Sequence, residues 1–188
     1  GRPEPPRAQQ TASSDLVSLA LDRRAPLAAD AGTTIYRLVN GAADGLPGLT
    51  LDRYRDVLVA SIYDDGMIAP FAELAESTGV TSVYVKYRPR QASQLSDAEL
   101  QQLAPTEPVS GPPRPEIIAH EDGLAYIIRP GEGLSVGLFP DMREGRGRVR
   151  AWARGARVLN TFAYTCGFGV AALAGGAARV LNLDLSKG

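Results

Sequence analysis

Cysteine and histidine each occur once in the 188 residues, as Cys166 and His120, so neither a disulfide framework nor a Cys/His zinc cluster can be built. Lysine is nearly as scarce: Lys86 and Lys187 are the only two, and arginine carries the rest of the positive charge. Twenty basic residues against 21 acidic ones give a net charge of −1. That excludes a chain basic all over, although a local nucleic-acid patch stays open. No run approaches the roughly 18 apolar residues of a membrane span, and no signal-peptide core opens the chain. The expectation is a soluble, cytoplasmic protein with no membrane partner. What is present is 44% hydrophobic and 22% charged, enough to build a core in one domain or two small ones.

The opening GRPEPPRAQQTASS is proline-rich and nearly without apolar residues, so residues 1–14 are expected to be a disordered linker, a domain boundary or a cloning scar. Residues 15–28 place Leu16, Leu19, Ala20 and Leu27 near helical spacing, with Ser14 or Asp15 able to cap. TTIYRLVN, LTLDRY, DVLVASIYD and TSVYVKYRP read as strands, and GMIAPFAELAESTG as a helix closed by Gly79. In the polar stretch 90–115, Ser96 and Glu99 form a capping-box pattern. EIIAHED and LAYIIRP flank Asp122-Gly123, a hairpin signal. Residues 15–130 are therefore expected as an α+β domain, with the Asp44 and Asp52 region as a turn network.

The style changes over 131–188. DMREGRGRVRAWARG is helical, with Arg146, Arg150, Arg154 and Arg157 on one stripe, either a solvated face or an RNA-facing patch. ARVLNTF and RVLNLDLS read as buried strands around TCGFG and an Ala-rich helix, one β-α-β unit of a doubly wound α/β sheet. Two parallel strands cannot cover their own faces, so this second domain is expected to be incomplete at Gly188. The glycines Gly167 and Gly169 would let a ligand approach the backbone at a helix start, and Asp184 could accept ribose hydroxyls. Gly167, Gly169 and Ala172 also fit a loose G-x-G-x-x-A pattern, which keeps an NAD-type oxidoreductase open beside an S-adenosylmethionine site.

Three ordered blocks decide more than spacing. VLNTFAYTCGFGVAALAGGAARVLNLDLSKG, YRLVNGAADGLPGLTLDRY and GLFPDMREGR together resemble a family of class I methyltransferases acting on large-subunit ribosomal RNA. The resemblance implies an α+β central domain followed by the first β-α-β of a Rossmann-like class I fold. It implies S-adenosyl-L-methionine as cofactor, 23S rRNA as partner and cytosine C5 as target. Asn160, Phe162, Tyr164, Gly167, Gly169 and Asp184 would line the cofactor, with core packing an alternative for Phe162 and Tyr164. Asp141 and Arg143 would form a hydrogen-bonded pair near its methionine end, or else a helix-capping pair. Met142 stands where the family has Gln, and Cys166 where many relatives have Gly. The family usually carries an N-terminal PUA domain, an RNA-binding module, and none is expected within these 188 residues.

Cytosine C5 methylation needs a thiolate that adds at C6. Cys166, in the cofactor turn, is poorly placed for that. The catalytic residues are expected beyond Gly188, which would leave this piece inactive alone. His120 reads as a partly exposed strand residue. The oligomeric state is open, a homodimer included. A non-enzymatic RNA-binding or scaffold module with a vestigial cofactor unit is the remaining alternative.

Overall fold

The computed structural model describes residues 10–11, 14–64, 67–68, 71–88 and 96–185. Of the expected linker, Gln10–Thr11 form a short strand, β1, and Ser14 opens helix α1 (Ser14–Ala29); the remainder lies outside the described residues. Next come β2 (Ile35–Asn40), a 3-10 turn at Gly41–Asp44, β3 (Leu49–Tyr54), β4 (Val57–Ile62) and β5 (Met67–Ile68). Helix α2 (Phe71–Thr78) and β6 (Ser82–Tyr87) follow. The helix expected over GMIAPFAELAESTG thus starts only at Phe71, because Met67–Ile68 pair in parallel with β1. Helix α3 (Asp97–Leu103) begins with the expected capping box, Ser96 and Glu99 each accepting the other's backbone N–H.

The central sheet has the order β2-β3-β4-β6. Its first three strands are antiparallel, and α2 carries the chain across so that β6 runs parallel to β4. Strand alternation gives it two apolar faces. One packs Leu38, Leu51, Leu58 and Val83 against α1 and α2. The other packs Ile35, Tyr54, Val57, Val59 and Tyr84 against the hairpin β7 (Ile117–Glu121) and β8 (Leu124–Ile128). That hairpin turns at Asp122-Gly123, both with positive φ, as the Asp-Gly signal requires.

The second core crosses the expected division at 130/131. Val136 and Leu138 are buried in it, Val170 packs on it, and the Tyr54 hydroxyl donates to the Leu138 carbonyl at 2.7 Å. A 3-10 turn at Pro140–Met142 then leads into α4 (Arg143–Trp152), β9 (Arg157–Thr161), α5 (Gly167–Ala174) and β10 (Arg179–Leu183). Strands β9 and β10 pair in parallel with Asn160 opposite Asn182, which is the expected β-α-β unit. They are not buried, however. Leu159, Leu181 and Leu183 are each more than half exposed, because α4 and α5 leave one face of the pair uncovered among the described residues. No helix among the described residues is long and apolar enough to cross a membrane.

The expected arginine stripe divides: Arg154 and Arg157 lie beyond the end of α4 and are exposed, whereas the arginines within α4 that face the hairpin are engaged. Arg146 forms a buried bidentate pair with Glu121, Arg150 donates to the Asp122 carbonyl, and Arg143 pairs with the Asp122 carboxylate. Arg143, Arg146 and Arg150 clamp α4 onto the tip of the β7–β8 hairpin.

Candidate cofactor site

The site is built at the carboxyl ends of β9 and β10, the crevice where open α/β sheets hold ligands. Between β9 and α5, Phe162, Tyr164 and Cys166 all take left-handed φ values, 55°, 49° and 63°. Such conformations cost on the order of 1–3 kcal/mol each in a non-glycine residue and persist only where the surroundings impose them. The impositions are visible. Asp184 accepts the Tyr164 backbone N–H at 2.6 Å, Cys166 N–H donates to the Ala163 carbonyl at 2.7 Å, and the Thr165 hydroxyl donates to the Gly137 carbonyl. Half-buried Cys166 is the residue before α5, whose start carries no side-chain cap. The first N–H groups of α5 therefore face the turn without a side-chain partner.

Gly167 and Gly169 were expected to open the backbone to a ligand. They lie instead in the first turn of α5, and both are packed. A Cβ on Gly169 would sit 2.4 Å from Asn182 Oδ1, and one on Gly167 would sit 2.7 Å from Leu138 Cδ1. Their absent side chains let α5 settle onto β10 and onto the segment before α4. Asn160 joins the same contact, donating to Asn182 Oδ1 at 2.8 Å. Phe162 is 85% exposed and Tyr164 41%, so neither ring is core. Asp184 and exposed Phe162 thus belong to this turn, with Gly167, Gly169 and Asn160 packed beside it, while the Tyr164 backbone is tied to Asp184 and its ring packs on Phe139. An acceptor carboxylate, the available Phe162 ring and an uncapped helix start fit an adenosyl group.

Asp141 and Arg143 do not pair, and neither caps α4. Arg143 reaches Thr33 Oγ1 and Asp122, while Asp141 faces Arg37 at 3.7 Å. Residues two apart at a helix start point to different sides, so the pair is geometrically excluded there.

Asp141 belongs to a second feature that the sequence reading missed. On the face of the central sheet next to Tyr164, the apolar row gives way to Arg37, Asp52, Ser61, Lys86 and Arg88. The strand register places them as neighbours: Arg37 opposite Asp52, Ser61 opposite Lys86. Arg37, Asp52, Ser61, Tyr63, Arg88, Asp141 and Tyr164 are among the residues lining a cavity of about 220 Å³. Arg37 grips Asp52 with Nε and Nη2 at 2.8 and 3.0 Å. Burial pushes the Asp52 carboxyl up, with the Arg37 fork opposing it. Burial, helped by the charge of Arg88, lowers the Lys86 ammonium to about 8. One charged residue facing inward in each of β2, β3 and β6, with Ser61 in β4, was the available signal. Asp44, by contrast, is the expected turn network: it accepts Arg23, Arg24 and the Asn40 backbone N–H. His120 is half-buried in β7, as expected.

Comparison with known proteins gives the family and the fold. Residues 45–188 match the family model described as S-adenosylmethionine-dependent methyltransferase. The chain belongs to that family. It is 34% identical over 178 residues to the ribosomal RNA large subunit methyltransferase I of Aeromonas salmonicida, covering 89% of this chain and 42% of that protein. To the ribosomal RNA large subunit methyltransferase of Deinococcus radiodurans it is 35% identical, again over 89% of this chain and 42% of the relative. The chain thus spans less than half the length of the curated relatives it matches. A structure assigned as a SAM-dependent methyltransferase from Streptococcus mutans superposes with a TM-score of 0.74 at 27% identity, covering 92% of this chain and 44% of that one. Another methyltransferase structure, complexed with SAH, gives a TM-score of 0.69 at 27% identity over the same shares. The fold is that of a Rossmann-like methyltransferase preceded by a mixed α/β sheet.

Proposed function

We propose that the whole protein to which this chain belongs methylates cytosine C5 of 23S ribosomal RNA, with S-adenosyl-L-methionine as methyl donor. The observation that carries the reading is the turn after β9, held in three left-handed residues and tied by the Asp184 carboxylate at the end of β10. Bound there, the cofactor would supply an electrophilic methyl on a sulfonium. Asp184 would hold the ribose hydroxyls, Phe162 would shield the adenosyl group from water, Tyr164 would border the methyl-donor end, and Asn160, Gly167 and Gly169 would hold the turn in shape. Alignment and exclusion of water are what this chain's residues contribute to such a displacement.

The remaining chemistry needs a thiolate for C6 and a base for the C5 proton. Cys166, the residue leading into α5, sits in the turn itself, so the 188 residues alone are proposed to be inactive, with the catalytic groups in further chain. The oxidoreductase alternative loses its support, because Gly167 and Gly169 are packed against Leu138 and Asn182 instead of lining an approach for a pyrophosphate. Against a non-enzymatic module with a vestigial cofactor unit stands the match of residues 45–188 to the methyltransferase family.

The test is incubation of the whole protein with 23S rRNA and methyl-tritiated S-adenosylmethionine, followed by digestion to nucleosides. Tritium in 5-methylcytidine is the expected result. Label in 7-methylguanosine would overturn the cytosine assignment, and no label would overturn the methyltransferase reading.

A further inference from the structure

We propose that the polar cleft between the central sheet and Tyr164 is a subsite for one unstacked nucleotide of the RNA substrate, an inference that rests on the RNA-methylating reading above. The cleft differs from the cofactor turn in its construction. Arg37, Asp52, Ser61, Tyr63 and Arg88 all come from β2, β3, β4 and the ends of β4 and β6, and only Asp141, Tyr164 and the stretch 134–139 come from the later part of the chain. Its about 220 Å³ suits a single planar base and excludes a duplex.

The lining has the two parts that single-stranded nucleic acid requires, rings and an available cation. Tyr63 and Tyr164 are 52% and 41% exposed, and Phe139, whose ring centroid lies 5.5 Å from that of Tyr164, is 40% exposed. These rings are open to stacking. The two arginines are not equivalent. Arg37 is consumed by its bidentate grip on Asp52 and by Asp141. Arg88 donates only Nε, to Ser61 Oγ at 3.4 Å, and its terminal nitrogens make no pair among the described residues. That fork is the donor for a phosphodiester. Arg37 and Asp52, locked together with Asp52 buried, form the rigid floor, and Asp141 at the rim offers an acceptor for an exocyclic amine. Burying such a row in a sheet is costly for stability alone, which is the reason to assign it to recognition. Its position beside Tyr164 would hold the nucleotide next to the methyl donor.

The test compares the wild-type whole protein with Arg88→Gln and Tyr63→Ala, both at solvent-reaching side chains. Filter binding reads affinity for 23S rRNA, calorimetry reads affinity for S-adenosylhomocysteine, and melting reports folding. Each variant is expected to weaken RNA binding about tenfold. Arg88→Gln alone should also reduce the slope of log affinity against log salt by about one. S-adenosylhomocysteine affinity and melting temperature should stay as in wild type. Unchanged RNA affinity would overturn the subsite. So would weakened S-adenosylhomocysteine binding, which would assign the cleft to the cofactor, or an equal loss of both ligands. Absence of methyl transfer by the wild type would instead overturn the function and leave this binding comparison standing.

Discussion

Arg146 and Glu121 meet fork to fork, Nε to Oε1 at 2.6 Å and Nη2 to Oε2 at 2.7 Å, with both side chains almost fully buried. Arg146 Nη2 also donates to the Phe139 carbonyl at 2.9 Å, and its guanidinium carbon lies 5.9 Å from the centre of the Phe168 ring. One side chain thus ties the β7–β8 hairpin, the segment before α4 and the first turn of α5. Removing one member of such a pair strands a buried charge, which costs about 3–5 kcal/mol. Arg146→Met should lower the urea unfolding free energy by about that much. Arg146→Met combined with Glu121→Leu should recover most of the loss, since an apolar pair leaves no buried charge. A double variant as unstable as the single would show that the charges themselves hold the junction.

How the arginines were legible is instructive. The stripe Arg146–Arg150 is plain in the sequence, but its partners Glu121 and Asp122 lie on a hairpin more than twenty residues earlier. Periodicity shows that residues share a face and never what the face meets. Likewise Arg37 and Asp52 are visible as charges in apolar strands. Their pairing depends on a register that shifts between Arg37 and Val39. The strands β9 and β10 read as buried because their composition is apolar. Burial also needs a covering layer, and that is a property of the fold, not of the segment. The glycines of the turn were found and their work was not: Phe162, Tyr164 and Cys166 take the left-handed angles, while Gly167 and Gly169 give up volume.

That reading of Gly169 can be checked by volume alone. Gly169 has an ordinary helical φ, so alanine there brings no backbone strain, only a Cβ against the Asn182 amide. Overpacking of this kind costs about 1–3 kcal/mol. Gly169→Ala should destabilise the chain by that amount, and Asn182→Ala added to it should relieve most of the cost. Urea unfolding of the two variants and of Asn182→Ala alone decides it.

Lys86 should behave as a buried cation short of partners. It is fully inaccessible, and among the described residues its ammonium donates only to the Pro105 carbonyl, at 3.5 Å. Its ammonium is lowered to about 8, below the usual lysine value, so between pH 8 and about 10.4 the unfolded chain binds more protons than the folded one. Stability from this group therefore rises with pH across that window. Lys86→Met should be more stable than wild type by about 1–3 kcal/mol at pH 7, and the gap should close as the pH approaches 10. A gap that is constant with pH would mean that the lysine stays charged in the fold.

Asp44 runs the opposite way. Burial alone would raise its carboxyl, but Arg24, the Asn40 backbone N–H and Arg23 outweigh burial and hold it at about 2. A lowered carboxyl stabilises the fold above the unfolded value, and that contribution is lost as the pH falls from about 4 toward 2. Asp44→Asn should cost about 1.5–3 kcal/mol at pH 7. The difference from wild type should shrink over that acid window, read from melting curves at several pH values.

Asp184 has a structural contact and a proposed cofactor role, and the two separate by substitution. Its Oδ2 accepts the Tyr164 backbone N–H, a structural role that any side-chain oxygen of the same reach can fill. The proposed ribose role needs a charged acceptor. Asp184→Asn keeps an oxygen for Tyr164 and loses the charge, whereas Asp184→Ala loses both. In the whole protein Asp184→Asn should melt like the wild type yet bind S-adenosylhomocysteine about tenfold to a hundredfold more weakly, the equivalent of about 1.5–3 kcal/mol. Asp184→Ala should lose the same affinity and also about 1 kcal/mol of stability, as a lost cap-like contact does. The ribose hydroxyls lie several bonds from the sulfonium and change little as the methyl leaves. Their contact is therefore uniform binding, so turnover at saturating cofactor should fall far less than the affinity does. Should Asp184→Asn bind S-adenosylhomocysteine like the wild type while Asp184→Ala melts lower, Asp184 would be a tie for the turn and nothing more.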